Sequence, residues 1–209
     1  MRFLRHLSPL LVALIITGCS HSPVQEQVQS GNTSLWHTHK AQITPIDSWQ
    51  LSGKLGVKAQ TAQKTESGSA TLFWLQRPGY YDIRLSGPLG RGATRLIGNS
   101  DGVELSVAGQ GVFQAQSAEA LLEEQLGWRL PVDHLLWWAR GLAAPDSPST
   151  LEIDDQGRLK KLTQAQWHID YLSYSQQGNL WLPERLKVNG PNLNLTLVIK
   201  EWQARTLGQ

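Results

Sequence analysis

The chain has 209 residues, 19 lysines and arginines against 17 aspartates and glutamates, and a hydrophobic fraction of 40%. If residues 1–18 are removed, as argued next, Arg2 and Arg5 go and no acid does, leaving 17 charges of each sign. That balance excludes the clustered positive charge of a nucleic-acid binder or a polybasic membrane-surface protein, and a single cysteine excludes an intrachain disulfide framework.

Arg2 and Arg5 form a basic start, and Leu7 to Ile16 an apolar run of ten residues. Ten helical residues reach about 15 Å, against a hydrocarbon core of about 30 Å, so the run is too short to span. It ends in Ile16-Thr17-Gly18-Cys19, which resembles the lipobox of bacterial lipoproteins. That resemblance implies a signal peptide over 1–18, cleavage before Cys19, and acylation of its thiol and new amine. Ser20 follows, where Asp is the usual signal for inner-membrane retention in enteric-type bacteria, so export to the outer membrane, on its periplasmic face, is expected. Residues 19–45, rich in Gln, Ser and Asn, read as a lipidated flexible tether, with His37 and His39 as solvated linker histidines that lack a third metal ligand. A single folded domain is expected over 46–209.

From Trp49 the chain alternates: Trp49, Leu51, Leu55 and Val57 share one face and Gln50, Ser52, Lys54 and Lys58 the other, a strand with one wet side. Ser69 to Gln76 follows, then Tyr81 to Leu85 after the Pro78-Gly79 turn. Ala93 to Gly98, Val103 to Val107 and Gly111 to Gln114 read as further hairpin strands. The period then changes. Ala118, Leu121, Leu122 and Leu126 mark a helix, with Ser117 as N-cap and Gly127 as stop; Val132, Leu135, Leu136 and Ala139 mark a second. Strand patterns return at Leu151 to Ile153, Arg158 to Gln166, Trp167 to Tyr171, Glu184 to Val188 and Asn192 to Trp202. About eleven strands with a helical pair after the sixth, and no strand–helix alternation, predict a mainly β fold: an unclosed, strongly curved antiparallel barrel with a helical lid over an apolar cavity. Leu51, Leu72, Trp74, Ile83 and Leu195 are the candidate cavity residues from the strands, with Leu121, Leu122, Leu136 and Trp137 from the lid. A one-residue register error would turn any strand position to the other face.

Catalytic signals are sparse. Gly98-Asn99-Ser100-Asp101-Gly102 matches the Gly-x-Ser-x-Gly pattern of a nucleophile elbow, but that device needs a strand, a sharp turn and a helix, and strand patterns flank this segment on both sides. No metal-spaced cluster, phosphate loop or dinucleotide fingerprint is visible, so no enzyme activity, cofactor or metal is expected. Nine tryptophans are the compositional oddity; indoles can pack a core or line a broad pocket. Trp137 and Trp138 point about 100° apart on a helix and cannot both face one core. Leu89, isolated among Gly87, Pro88, Gly90 and Gly92, is either tucked onto its own sheet or an apolar probe for a bilayer or a partner's groove, worth about 2 kcal/mol if buried there.

In order, Gly53-Lys54-Leu55, Leu85-Ser86-Gly87-Pro88-Leu89-Gly90, Leu126 to Val132, Trp138-Ala139-Arg140-Gly141-Leu142, Gly157-Arg158-Leu159, Trp167 to Tyr171 and Leu182-Pro183 resemble the LolB outer-membrane lipoprotein receptor family across nearly all of 46–202. Ala143 departs from the proline common there. The resemblance implies an acceptor of acylated lipoproteins from a periplasmic carrier of the LolA type, an apolar cavity for the acyl chains, and delivery into the inner leaflet of the outer membrane. It also implies a projecting Pro88-Leu89-Gly90 loop that helps insertion, and a monomer. Two other readings remain open: an envelope scaffold whose barrel is packed solid, and a lipid hydrolase using Ser100 with His134 or His168.

Overall fold

The computed structural model describes residues 24–60, 64–87 and 92–205. Cys19 and the Pro88-Leu89-Gly90 loop lie outside the described residues. Within them the chain runs β1 (Glu26–Ser30), α1 (Thr33–Ile43), β2 (Ser48–Gln60), β3 (Thr65–Arg77), β4 (Tyr80–Ser86), β5 (Thr94–Asn99), β6 (Gly102–Val107), β7 (Gly111–Ala115), α2 (Ala118–Leu126) and α3 (Val132–Trp138). It closes with β8 (Ser149–Ile153), β9 (Leu159–Gln164), β10 (Trp167–Gln177), β11 (Leu180–Asn189) and β12 (Leu193–Arg205).

The strands form one sheet in the order β1-β8-β9-β10-β11-β12-β2-β3-β4-β5-β6-β7, so β1 and β7 are its two edges and the barrel does not close. Each of the eleven strands expected from the alternation is present, and β1 is the twelfth. Period-two patterning puts Leu51 opposite Trp74, and Leu55 and Val57 opposite Leu197 and Leu195, on the same concave face. Bulges between Ile199 and Glu201 in β12 and around Ser173 in β10 interrupt the ladders where the sheet bends. At the first of these bends Gly53 faces the Val198 carbonyl so closely that any side chain would collide with backbone, which fixes glycine there.

Residues 26–43 require a correction, because they belong to the fold and do not form a flexible tether. β1 pairs in parallel with β8, and α1 begins at Asn32, whose side chain accepts the Leu35 N–H at 3.1 Å. Trp36, His39 and Ile43 form a buried stripe at i, i+3 and i+7. Glu26 joins the two elements by accepting Trp36 Nε1–H and Lys40 Nζ–H, each at 2.7 Å. His39 accordingly is a buried residue set between the rings of Trp36 and Tyr174. Burial, followed by the nearby Arg158 charge, lowers its pKa.

The helices pack against the concave face in two clusters. Trp36 and Ile43 of α1 and Leu135 and Trp138 of α3 join the main core over β2–β3 and β8–β12, while Ala118, Leu121 and Leu122 of α2 pack with Tyr81, Leu96 and Leu105 in a second cluster. Ser117 caps α2 by accepting the Ala120 N–H, and Gly127 ends it in the left-handed region at φ 71°. The segment after α3 is stapled to the sheet by Gln164, whose Oε1 accepts Trp138 Nε1–H and the Ala144 N–H, both at 2.9 Å. The Gln164 Nε2 donates to the carbonyls of Ala144 and Ser147 at 2.7 and 2.8 Å.

Candidate functional site

Between the sheet and the α2–α3 unit lies a cavity of about 70 Å³. Its floor is Leu55 and Val57 of β2, Leu72 and Trp74 of β3, Ile83 and Leu85 of β4, Leu96 of β5, Leu105 of β6, and Leu195 and Leu197 of β12. Its roof is Leu122 and Leu126 of α2, Trp128 and Leu130 of the linker, and Val132 and Leu135 of α3, with Thr94 the one hydroxyl-bearing residue in the wall. A hydrophobic wall without a charge or a nucleophile offers partition of apolar groups away from water. In this lid position the space is well below the about 150 Å³ that accommodates a benzene-sized ligand, so anything longer requires the roof to move.

Of the strand residues singled out from sequence, Leu72, Trp74, Ile83 and Leu195 come together in this wall, whereas Leu51 lies deeper in the packed core. Among the lid residues Leu122 faces the cavity. Leu121 is buried in the second cluster without reaching it, and Leu136 packs against the main core. Trp137 turns aside to a separate depression beside Val24 and Leu142, with the Arg140 guanidinium 4.5 Å from its ring centre, while Trp138 is the buried member of the pair. Burial lowers the Arg140 pKa to about 10; its Nη1 donates to the Ile46 carbonyl and its Nε to that of Leu136. Arg140 thereby pins the end of α3 to the start of β2.

Sequence reasoning missed Trp128 and Leu130, because a helix–helix linker reads as surface. The signal was present: two large apolar residues in a segment of five, Gly127 to Pro131. It also missed Leu55, Val57, Leu85, Leu96, Leu105 and Leu197, which share strand faces with the chosen residues.

A larger groove of about 670 Å³ lies between the lid and the β9–β10 and β11–β12 turns, bordered by Trp128 and Val132 and holding the charged or polar side chains of Glu119, Glu123, Arg129, Asp133, His134 and Asp146. Arg129 pairs with Glu123 at 2.8 Å. Ser100 sits in the β5–β6 turn, its Oγ 3.4 Å from Asp101 Oδ1. His134 Nε2 lies 3.0 Å from Ser147 Oγ, and His168 Nδ1 lies 3.1 Å from Thr163 Oγ1, so neither imidazole is partnered with Ser100. Among the described residues no group of three or more His, Cys, Asp or Glu is placed to hold a metal.

The topology sets one further piece of geometry. Glu26 starts β1 beside Ser149 at the start of β8. Antiparallel alternation from there to β4 puts that same end of the sheet at the β9–β10, β11–β12, β2–β3 and β4–β5 connections. The start of β1, the end of β4 and the start of β5 therefore lie at one end of the sheet, and the cavity residues Val57, Leu85, Thr94 and Leu195 lie toward it.

Residues 47–202 match the family described as "Outer membrane lipoprotein LolB". The chain is 55% identical to the outer-membrane lipoprotein LolB of Pseudomonas aeruginosa strain LESB58 and 53% identical to that of Stutzerimonas stutzeri, each over 210 residues covering 100% of both chains. In fold it resembles the crystal structure of a putative outer membrane lipoprotein-sorting protein domain from Vibrio parahaemolyticus, with a TM-score of 0.52 at 11% identity, covering 84% of this chain and 93% of that one.

Proposed function

The chain belongs to the family of outer-membrane lipoproteins LolB, and from that membership we propose that it accepts acylated lipoproteins from a periplasmic carrier of the LolA type and inserts them into the inner leaflet of the outer membrane. The observation that carries this reading is the apolar, lidded cavity, whose wall reaches toward the end of the sheet where β1 begins and β4 ends. Cys19 is the lipid anchor, the acyl chains of the cargo occupy the cavity, and Pro88-Leu89-Gly90 enters the bilayer surface as a monomeric receptor releases its cargo.

Energetics explain the design. A triacylated cargo carries on the order of 45 methylenes, so its release into water would cost roughly 36 kcal/mol at about 0.8 kcal/mol each. Transfer must go from one apolar site to the next without passing through water, and each step needs only a small downhill difference. Lifting the roof uncovers the apolar faces of Leu122, Leu126, Trp128, Leu130, Val132 and Leu135, and an acyl chain that enters covers those same faces, so the open lid needs no fuel once a chain is in place.

The test mixes protein from Ser20 onward, which keeps every described element, with carrier already loaded with a lipoprotein, and scores cargo on each partner by pull-down. Movement of cargo to this protein is expected. Cargo that stays on a carrier competent to release it to another acceptor would overturn the reading and favour the packed-scaffold alternative.

A further inference from the structure

The polar atoms of the cavity wall follow a pattern that packing does not explain. Three of the five buried tryptophans away from the cavity donate their indole N–H: Trp36 to Glu26 at 2.7 Å, Trp138 to Gln164 at 2.9 Å, and Trp202 to the Pro183 carbonyl at 2.8 Å. The two tryptophans in the wall, Trp74 and Trp128, have buried Nε1 atoms with no acceptor. Trp74 is 1% exposed. A buried donor left without an acceptor opposes folding, and native interiors seldom keep one. Phenylalanine or leucine would line an apolar cavity without that cost. Among the described residues Trp74 and Trp128 hold the two fully buried indole nitrogens without an acceptor, and both stand in a wall that is otherwise hydrocarbon save for Thr94.

An acceptor supplied by the cargo would complete both donors. Resting on the acceptor reading above, we infer that Trp74 and Trp128 donate hydrogen bonds to the carbonyl oxygens of the acylated N-terminal cysteine, so that the cavity recognises the ester and amide groups at the head of the acyl chains as well as their methylenes. The chemistry matches on each side. Ester and amide oxygens are acceptors that lose water when chains enter a hydrocarbon cavity, and an indole N–H is a donor with no acceptor function of its own. The positions match as well. Trp74 belongs to β3 and stays with the sheet when the lid moves, whereas Trp128 lies in the linker that roofs the cavity. The sheet-borne donor is a fixed partner and the linker-borne donor closes over the head of the lipid. Free alkyl chains would gain the hydrophobic term alone, and the two donors favour the acylated cysteine over them.

The experiment uses protein from Ser20 onward and two synthetic probes, a triacylated cysteinyl peptide with ester-linked chains and its dialkyl ether analogue. Both ether and ester probes have equal chain lengths, and binding is read by displacement of an environment-sensitive fluorophore from the cavity. One neutral hydrogen bond corresponds to about a fivefold change in affinity. With two such bonds the parent protein is expected to prefer the ester by about 25-fold. Trp128→Phe and Trp74→Phe should each reduce that preference about fivefold, read as the ratio of ester to ether affinity in the same variant, so that lost wall contact, which weakens both probes alike, cancels. Because phenylalanine also removes packing volume, a second pair of variants carries benzothienylalanine at 74 or at 128, with sulfur in place of N–H and the same shape; each should lose its share of the ester preference without losing thermal stability. Equal affinity of the parent for both probes, or an undiminished ester preference in folded variants, would overturn the inference while leaving the acceptor reading intact. Failure of both probes to bind would overturn the acceptor reading itself.

Discussion

Gln164→Leu removes the staple that holds the segment after α3 on the sheet, and its cost can be worked from the contacts. The amide makes four hydrogen bonds, with Trp138 Nε1, the Ala144 N–H, and the carbonyls of Ala144 and Ser147. Carbonyls can relax toward water near Ser147, but Trp138 is 0% and Ala144 5% exposed, so their two N–H groups remain buried and unpaired. At about 1–3 kcal/mol for each stranded donor the substitution costs roughly 2–6 kcal/mol, against a near-neutral change in apolar volume. Urea unfolding of parent and variant, compared at equal m-value, measures it. Thr163→Ala, which removes only an exposed contact with His168, serves as the control and should cost less than about 0.5 kcal/mol. A Gln164→Leu loss below about 1 kcal/mol would refute the claim that this side chain seats the lid's C-terminal end.

Asp82 accepts forks from Arg84 and Arg95, with closest contacts of 2.6 and 2.8 Å. Burial alone would raise its pKa, but the hydrogen bonds and charges of Arg95 and Arg84 outweigh this and bring it down to about 2. Its contribution is therefore present above the ordinary carboxylate range and lost as pH falls toward 2; Asp82→Asn should flatten acid unfolding between about pH 4 and 2, by about 1–2 kcal/mol once screening at the half-exposed arginines is allowed for. His39 has its pKa lowered from 6.5 by burial first, then by Arg158, with Asp154 acting the other way. Its share of stability is complete above that value and declines as pH drops through 6.5 toward the folded-state pKa, so His39→Phe should be less sensitive to a step from pH 7 to 5; superimposable profiles would contradict a buried neutral imidazole. Leu89→Glu should leave thermal stability and receipt of cargo unchanged and impair insertion into liposomes, since a charge resists the bilayer surface that a leucine enters; normal insertion would remove the loop from the account.

The sheet was legible because alternation is a period-two signal and eleven strands carry it, from Trp49-Leu51 to Leu195-Leu197. The lid was legible from its punctuation, Ser117 and Gly127. The N-terminal β1–α1 unit was not, because its composition is polar and α1 buries only Trp36, His39 and Ile43; its order comes from tertiary contacts such as Glu26 to Trp36 and Lys40, which a local pattern does not reveal. Cavity and core residues could not be separated on one strand face: Leu51 and Leu55 share a face, and only the depth at which the helices sit decides which one borders space. Trp137 and Trp138 show the same limit on a helix, where spacing says that they diverge and only packing says which one goes inside.

The most direct measurement places a photoreactive phenylalanine analogue at Leu55 on the cavity floor, at Leu126 on its roof, or at Leu172, which is 51% exposed on β10. Each protein is given cargo with radiolabelled acyl chains from a loaded carrier and then illuminated. The account predicts labelled adducts from 55 and 126 and none above background from 172. Efficient cargo transfer with no adduct at either cavity position, or with equal labelling at 172, would contradict it.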